Sequence, residues 1–250
     1  PIRINLRLFR ITGLWPDGEN YKLEFYTLYS IVIVGVSLFL HTVFYVVEVM
    51  LLLKSEAEIV VKTLFMALNQ TVAFVKCCCL MYNLKRMKRL IQNLENDLFQ
   101  PQSAEQRRKI KPMITIWKIG QLSFSATVYV TLSLFLLLPI LTKTTNHYKL
   151  PFHAWYPWSV KKSPGYEITY LFQSLAFTLR GTCSVTIDTS VSALNTYISA
   201  QCIILCDTFR NLNLQENAYQ KITRCVLHHK EILRSDKHTI LNTVITVVHF

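Results

Sequence analysis

The chain has 250 residues, 51% hydrophobic and only 17% charged, with a formal net charge of +12; an average soluble domain is about 25% charged. Its six glycines and eight prolines fall below the ~17 and ~12 of average usage, which excludes a disordered chain or a loop-rich β-protein. The apolar residues are gathered into long runs, which excludes ordinary water-soluble packing, and no series of ~10-residue alternating segments points to a membrane β-barrel.

In chain order, the first 27 residues carry Arg3, Arg7, Arg10 and Lys22 beside Asp17, Glu19 and Glu24. They have no short apolar core followed by a small-residue cleavage site, so a cleaved secretory signal is not expected. Four membrane-length runs follow. Residues 28–53 contain only His41 and Glu48 as possible charges, 59–82 contain Lys62 and Lys76, 114–141 contain Lys118, and 167–206 contain Arg180 and Asp188. A hydrocarbon core of about 30 Å needs roughly 20 apolar residues in a helix. The fourth run would be about 60 Å long as a helix, so part of it must stand in water or in protein. The expected fold is therefore all-α, a polytopic transmembrane helix bundle with cytoplasmic helical extensions. It divides into an N-terminal cytoplasmic segment 1–27, helices one to four with their loops over 28–206, and a cytoplasmic helix with an incomplete C-terminal part over 207–250.

Charge placement sets the threading. If all four runs cross, eighteen Lys and Arg lie on the side of the N-terminus, residues 83–113 and the tail, against five on the other side. Cationic loops stay cytoplasmic, so the N-terminus is expected inside, in a multi-pass protein of the plasma membrane. The basic excess then serves as a topology signal and attracts anionic membrane lipid. The basic run lacks interleaved aromatics, and no nucleic-acid partner is expected. The seven cysteines, at 77–79, 183, 202, 206 and 225, all fall in spans or on the inner side, so no external disulfide framework is readable. Cys225, His228 and His229 could form one face of a metal site, but no second ligand pair follows at zinc-like spacing, and no metal or cofactor is expected. The glycosylation pattern Asn69-Gln70-Thr71 lies inside a span.

The inner stretch "NLKRMKRLIQNLENDL" repeats Leu84, Met87, Leu90, Ile91, Leu94 and Leu98 at helical spacing and continues the second span. "FRNLNLQENAYQKITRCVLHHKEIL" repeats the habit with Phe209, Leu212, Tyr219, Ile222, Val226, His229 and Leu233. Both stripes need partners, either the lipid interface or a cytoplasmic helical bundle, and their direct continuity with membrane helices favours the bundle. Lys62, Lys76 and Lys118 lie near span ends and can snorkel. His41 lies near mid-membrane and must face protein or an aqueous cavity; Arg180 and Asp188 mark the fourth helix as an inner member of the bundle. No nucleophile–base pattern, HExxH motif or phosphate-binding glycine loop is present, and an enzyme is not expected.

Between the third and fourth runs stands "HYKLPFHAWYPWSVKKSPGYE", residues 147–167. Trp155, Tyr156 and Trp158 suit the headgroup level, and the prolines at 151, 157 and 164 stiffen the chain against helix. Such a loop can fold down as an extracellular lid over the outer helix ends. "LPFHAWYPWSVKKSPGYEITYLFQ" closely resembles the second extracellular loop and start of the fourth helix in the insect odorant receptor family. "RITGLWP", "DTSVSALNTYISAQCIIL" and "CVLHHKEIL" resemble further motifs of that family in the same order, so the likeness runs from about residue 7 to 234.

The resemblance implies a seven-helix, inside-N subunit of a tetrameric, non-selective, odorant-gated cation channel, assembled with a shared olfactory co-receptor subunit. It also implies a small volatile organic ligand in a pocket of the outer membrane half among helices two, three, four and six. With the N-terminus inside, the outer halves are 59–70, 129–141 and 168–180. The available wall residues are Phe65, Leu68, Asn69, Tyr129, Ser133, Leu136, Tyr170, Phe172, Gln173, Phe177 and Arg180. Aromatic and aliphatic walls with a few orienting polar groups suit an apolar volatile. After "HHKEILR" only "SDKHTILNTVITVVHF" remains, where the family continues into further helices, so the chain is read as truncated or as missing segments. Alternatives kept open are a gustatory-type receptor channel, a membrane transporter, which would need inverted repeats and broken midspan helices, and a G-protein-coupled receptor, which the charge count opposes.

Overall fold

A computed structural model describes residues 2–16, 25–53, 57–94, 99–101, 103–142, 150–152, 154–211 and 218–247. Among these residues the regular structure is entirely helical: α1 Ile2–Ile11, α2 Phe25–Val32, α3 His41–Leu52, α4 Ala57–Leu94, α5 Ala104–Leu141, α6 Gly165–Arg210 and α7 Ala218–Val247. A π-helical segment, Ile33–Leu40, joins α2 to α3. Four stretches are long and apolar enough to cross a membrane: Phe25–Leu52, Ala57–Gln92, Ala104–Pro139 and Gly165–Arg210. Each overlaps one of the four runs read from hydropathy, and the fourth is indeed overlong, at 46 residues.

The chain divides into two compact units, and the boundaries cut through helices. The first unit contains Ile4–Met81 and Phe124–Ile187; the second contains Tyr82–Ser123, Asp188–Phe250 and the first three residues.

In the first unit, α1 ends in a tight turn at "TGLWP". Gly13 has φ of +77°, and Leu14 N–H reaches back to the Phe9 carbonyl at 2.9 Å, closing the helix. Phe9 stacks on Trp15 with centroids 5.7 Å apart, and Phe9, Leu14 and Trp15 are all buried. The Tyr26 hydroxyl bridges the turn to α2, accepting from Trp15 N–H and donating to the Arg10 carbonyl, both at 3.1 Å. A Cβ on Gly13 would meet Ser30 Cα at 3.0 Å. Gly13→Ala therefore combines an unfavourable left-handed backbone with a crowded contact. It should cost about 1–2 kcal/mol and lower the melting midpoint of the purified protein. Gly120→Ala, where nothing lies within 4 Å, is the matched control inside α5 and should leave the midpoint unchanged or raise it.

Along α4 the buried positions are Thr63, Ala67, Gln70, Ala73, Lys76, Cys77, Leu80, Asn83, Leu84, Met87 and Leu90, one stripe that returns every three to four residues. The stripe confirms Leu84, Met87 and Leu90 as an inward face; Ile91 is half-buried, and Leu98 lies outside the described residues. It corrects the reading of Lys76. That side chain is buried with 7% exposed rather than snorkelling along lipid, because its position falls on the packed stripe. Lys62 and Lys118 are exposed, and Lys62 pairs with Glu58.

In the second unit, Ile110, Ala200 and Ile204 form an apolar cluster flanked by Met113 and Ile114. Lys109 binds both Asp207 and Glu105, and Gln106 Nε2 donates to Thr208 Oγ1 at 3.2 Å. Gln201 Nε2 donates to the Phe99 carbonyl at 2.9 Å, while its Oε1 meets His228 Nε2 at 3.1 Å. The His228 ring lies edge-on to Phe99, centroids 5.4 Å apart. Burial, with the nearby Arg224 charge, holds His228 below the ordinary imidazole range, so it packs as a neutral donor.

Here the stripe expected on the tail helix is out of phase. Tyr219, Ile222, Val226 and Leu233 are exposed, as are Phe209 and His229, while α7 buries Cys225, His228 and Ile232. Leu212 lies outside the described residues. The packed face is the one that carries the hydrogen-bonding histidine, and hydrophobicity alone selected its neighbour.

Candidate functional site

The loop after α5 packs as a lid on the first unit. From Phe152 to Pro164 its described residues are bends, turns and irregular backbone. Phe152 is buried and stacks face to face on Phe177, centroids 4.0 Å apart and planes 6° from parallel. Gln173, fully buried on α6, ties the lid down. Its Nε2 donates to the Phe152 carbonyl and to the Tyr156 hydroxyl, each at 2.9 Å, and its Oε1 accepts from Phe152 N–H at 3.4 Å. Burial pushes the Tyr156 hydroxyl up to about 12 despite that bond. Trp158 Nε1 donates to Thr169 Oγ1 at 2.7 Å. At the hinge into α6, a Cβ on Gly165 would lie 2.3 Å from the Ser159 carbonyl oxygen, so only glycine admits this close return.

Phe44 of α3 is the post on which the lid rests. Its ring meets Trp155 at 6.1 Å, Tyr156 at 5.1 Å, Trp158 at 6.1 Å and Phe172 at 6.3 Å, all at steep angles. These edge-to-face arrangements are favourable between aromatic quadrupoles. Trp155 and Trp158 stay 37% and 42% exposed, one edge on protein and the other outward, as interfacial aromatics should be.

Beneath the lid, His41 is wholly buried and sits edge-on to Tyr45, Phe172 and Phe177, with centroids at 5.1, 5.5 and 6.4 Å. Arg180, also buried, brings Nη2 to 3.2 Å from His41 Nδ1 and donates to the Ser37 carbonyl at 3.4 Å. Ser37 belongs to the π-helical segment, where wider turns often mark functional positions. Tyr45, Ala67 and Phe152 form an apolar cluster with Val49, Met66, Ala154 and Phe177 packed against it. Cys77 of α4 and Cys183 of α6 are buried free thiols.

Of the wall residues read from sequence, Phe172, Gln173, Phe177 and Arg180 come together in this aromatic cluster, under Tyr156. Phe65 and Leu68 do not, being 63% and 57% exposed, and Asn69 shares their outward face, its amide bonded to the Phe65 carbonyl at 2.9 Å. The inward residues of α4 at this level are Met66, Ala67 and Gln70. Ser133 is exposed and bonds its own helix at the Tyr129 carbonyl. Tyr129, Leu136 and Tyr170 are half-buried at the junction of α5 and α6. There the Tyr129 hydroxyl meets Thr182 Oγ1 at 3.4 Å and the Tyr170 hydroxyl donates to the Leu136 carbonyl. Sequence reasoning left Phe44, Tyr45 and Gln70 out of the site. The signal that could have found the first two was His41, whose midspan position already required a protein environment.

A family model described as 7tm Odorant receptor matches residues 56–250. Odorant receptor Or1 of Anopheles gambiae is 24% identical over 268 aligned positions, covering 92% of this chain. The chain spans 61% of that relative's length. The solved insect olfactory receptor OR5 of Machilis hrabei superposes with a TM-score of 0.77 at 14% identity, covering 99% of this chain and 69% of OR5. OR5 in complex with eugenol gives a TM-score of 0.74 at 15% identity, over the same shares. The structural likeness shows a common fold, and the matched proteins are receptors rather than enzymes. This chain, a multi-pass membrane protein, belongs to the insect 7tm odorant receptor family.

Proposed function

We propose that the chain is the odorant-binding part of a subunit of a heteromeric, odorant-gated, non-selective cation channel. It would sit in the plasma membrane with its N-terminus inside and assemble with an olfactory co-receptor subunit. The observation that carries this reading is the aromatic cluster of His41, Phe44, Phe172 and Phe177 roofed by Phe152 and Tyr156. Ring walls with a few polar groups suit a small volatile, which gains dispersion from the walls and orientation from the polar atoms. That a family structure holds eugenol, a small aromatic molecule, supports the same ligand class. The basic balance of the inner segments supports the orientation.

The test is to express the native-length receptor with the co-receptor subunit and record currents during a broad odorant panel. Odorant-evoked cation current is expected. Phe172→Ala should raise the half-maximal concentration about tenfold, the loss of one ring contact in a small-ligand pocket, at unchanged surface level. Phe65→Ala, on the outward face, should not. Silence across the panel despite surface expression would refute the reading, and equal shifts in both variants would refute the location.

A further inference from the structure

The polar atoms of the cluster are unequally provided for. Arg180 Nη2 is engaged, and the guanidinium carbon lies 5.9 Å from the Phe177 ring centre. Arg180 Nε and Nη1, however, are buried without a hydrogen-bond partner, as are His41 Nε2, the Tyr45 hydroxyl and Gln70 Oε1. The Tyr45 ring lies 5.1 Å from the His41 ring, and Arg180 reaches His41 at 3.2 Å, so the donor atoms share one neighbourhood.

Their chemistry has a sign. A guanidinium can only donate, so His41 Nδ1, facing Nη2, must be the acceptor, and a neutral ring then carries its proton on Nε2. The unpartnered set is thus rich in donors: two guanidinium nitrogens, one imidazole N–H and one phenol, against a single amide oxygen. No carboxylate among the described residues pairs with Arg180. A buried cation without an anion is costly, and a partner that brings both negative charge and acceptor oxygens relieves that cost.

We propose that the ligand class of this cluster is a small organic carboxylate. Its oxygens would take the free N–H groups of Arg180 with the His41 and Tyr45 donors, and its apolar remainder would lie against Phe172 and Phe177. This rests on the odorant-binding reading above and narrows it. Charge-assisted bonds are the strong ones, and Arg is the side chain best suited to carboxylate oxygens in a desolvated setting.

The experiment applies phenylacetate, methyl phenylacetate and 2-phenylethanol at neutral pH to the native-length receptor expressed with the co-receptor subunit. The acid should be more potent than its ester by about tenfold or more, as charged hydrogen bonds warrant. Arg180→Met should abolish that preference, and Arg180→Lys should keep part of it, with surface biotinylation confirming delivery. If Arg180→Met fails to reach the surface, Tyr45→Phe serves instead and should lower the acid-to-ester ratio. Currents in which ester or alcohol match the acid, or an acid preference that survives Arg180→Met, would overturn the carboxylate assignment while leaving the odorant-receptor reading intact. Silence to all three and to the wider panel would overturn both.

Discussion

Gln173→Leu should loosen the lid more than any other single change in the loop or its seat. The substitution keeps the volume and removes three bonds at once, leaving Phe152 N–H, the Phe152 carbonyl and the Tyr156 hydroxyl to find new partners in a buried place. Each unsatisfied buried group costs about 1–3 kcal/mol, so about 3 kcal/mol for the three, after partial relaxation, is a modest expectation. The readout is local. Lys161 and Lys162 are exposed lid residues, and trypsin should cut there faster by about tenfold or more, since cleavage follows the population of the opened form. Gln173→Glu should fall between the two. A carboxylate can still accept from Phe152 N–H and Tyr156 but cannot donate to the Phe152 carbonyl. An unchanged cleavage rate in the leucine variant would mean that the aromatic contacts alone hold the lid.

Phe44→Ala should be the most destabilising substitution in α3. The ring is 5% exposed and meets four aromatic rings, so its loss opens a cavity from which the lid, Phe172 and α3 all withdraw contact. Truncations of this kind cost about 3–5 kcal/mol. The melting midpoint of the detergent-purified receptor should fall sharply, whereas Phe25→Ala, at a ring 90% exposed, should leave it nearly unchanged. Because Phe44 supports Trp155 and Trp158 from below, its loss should also raise tryptic cleavage at the lid. A fall in midpoint without that rise would separate helix packing from lid support.

The two variants probe what sequence could and could not tell. Spans were legible because lipid demands long apolar helices with satisfied backbones. The aromatic loop stands out in sequence because prolines and interfacial aromatics break the pattern at one place. The phase of each helix was not. In lipid both faces of a helix are apolar, so Phe65 and Leu68 look as core-like as Met66 and Ala67, and only packing separates them. The reverse error arose at α7, where a buried histidine and cysteine form the packed face and the more hydrophobic stripe turns outward. Lys76 misled for a related reason: a lysine near a span end suggests snorkelling, yet its place on the α4 stripe buries it.

The π-helical segment also left no readable trace. Ile33–Leu40 contains only one glycine and no proline, so nothing in its composition announces a wider turn. Its consequence is nonetheless specific, since the Ser37 carbonyl it presents is one of the groups that hold Arg180. In sequence, His41 and Arg180 are each polar groups within a span that must face protein rather than lipid. That they meet, 139 residues apart in sequence, required the three-dimensional arrangement. Gly13 shows the opposite case: "TGLWP" was part of a family likeness in sequence, and the left-handed turn against Ser30 supplies its physical cause.

The most direct measurement is a cryo-electron microscopy structure of the native-length receptor with an activating odorant bound. Ligand density is expected beneath Phe152 and Tyr156, against Phe172 and Phe177 and within hydrogen-bonding reach of Arg180. Density against the outward face of α4, at Phe65 and Leu68, or anywhere outside the lidded cluster, would contradict the account.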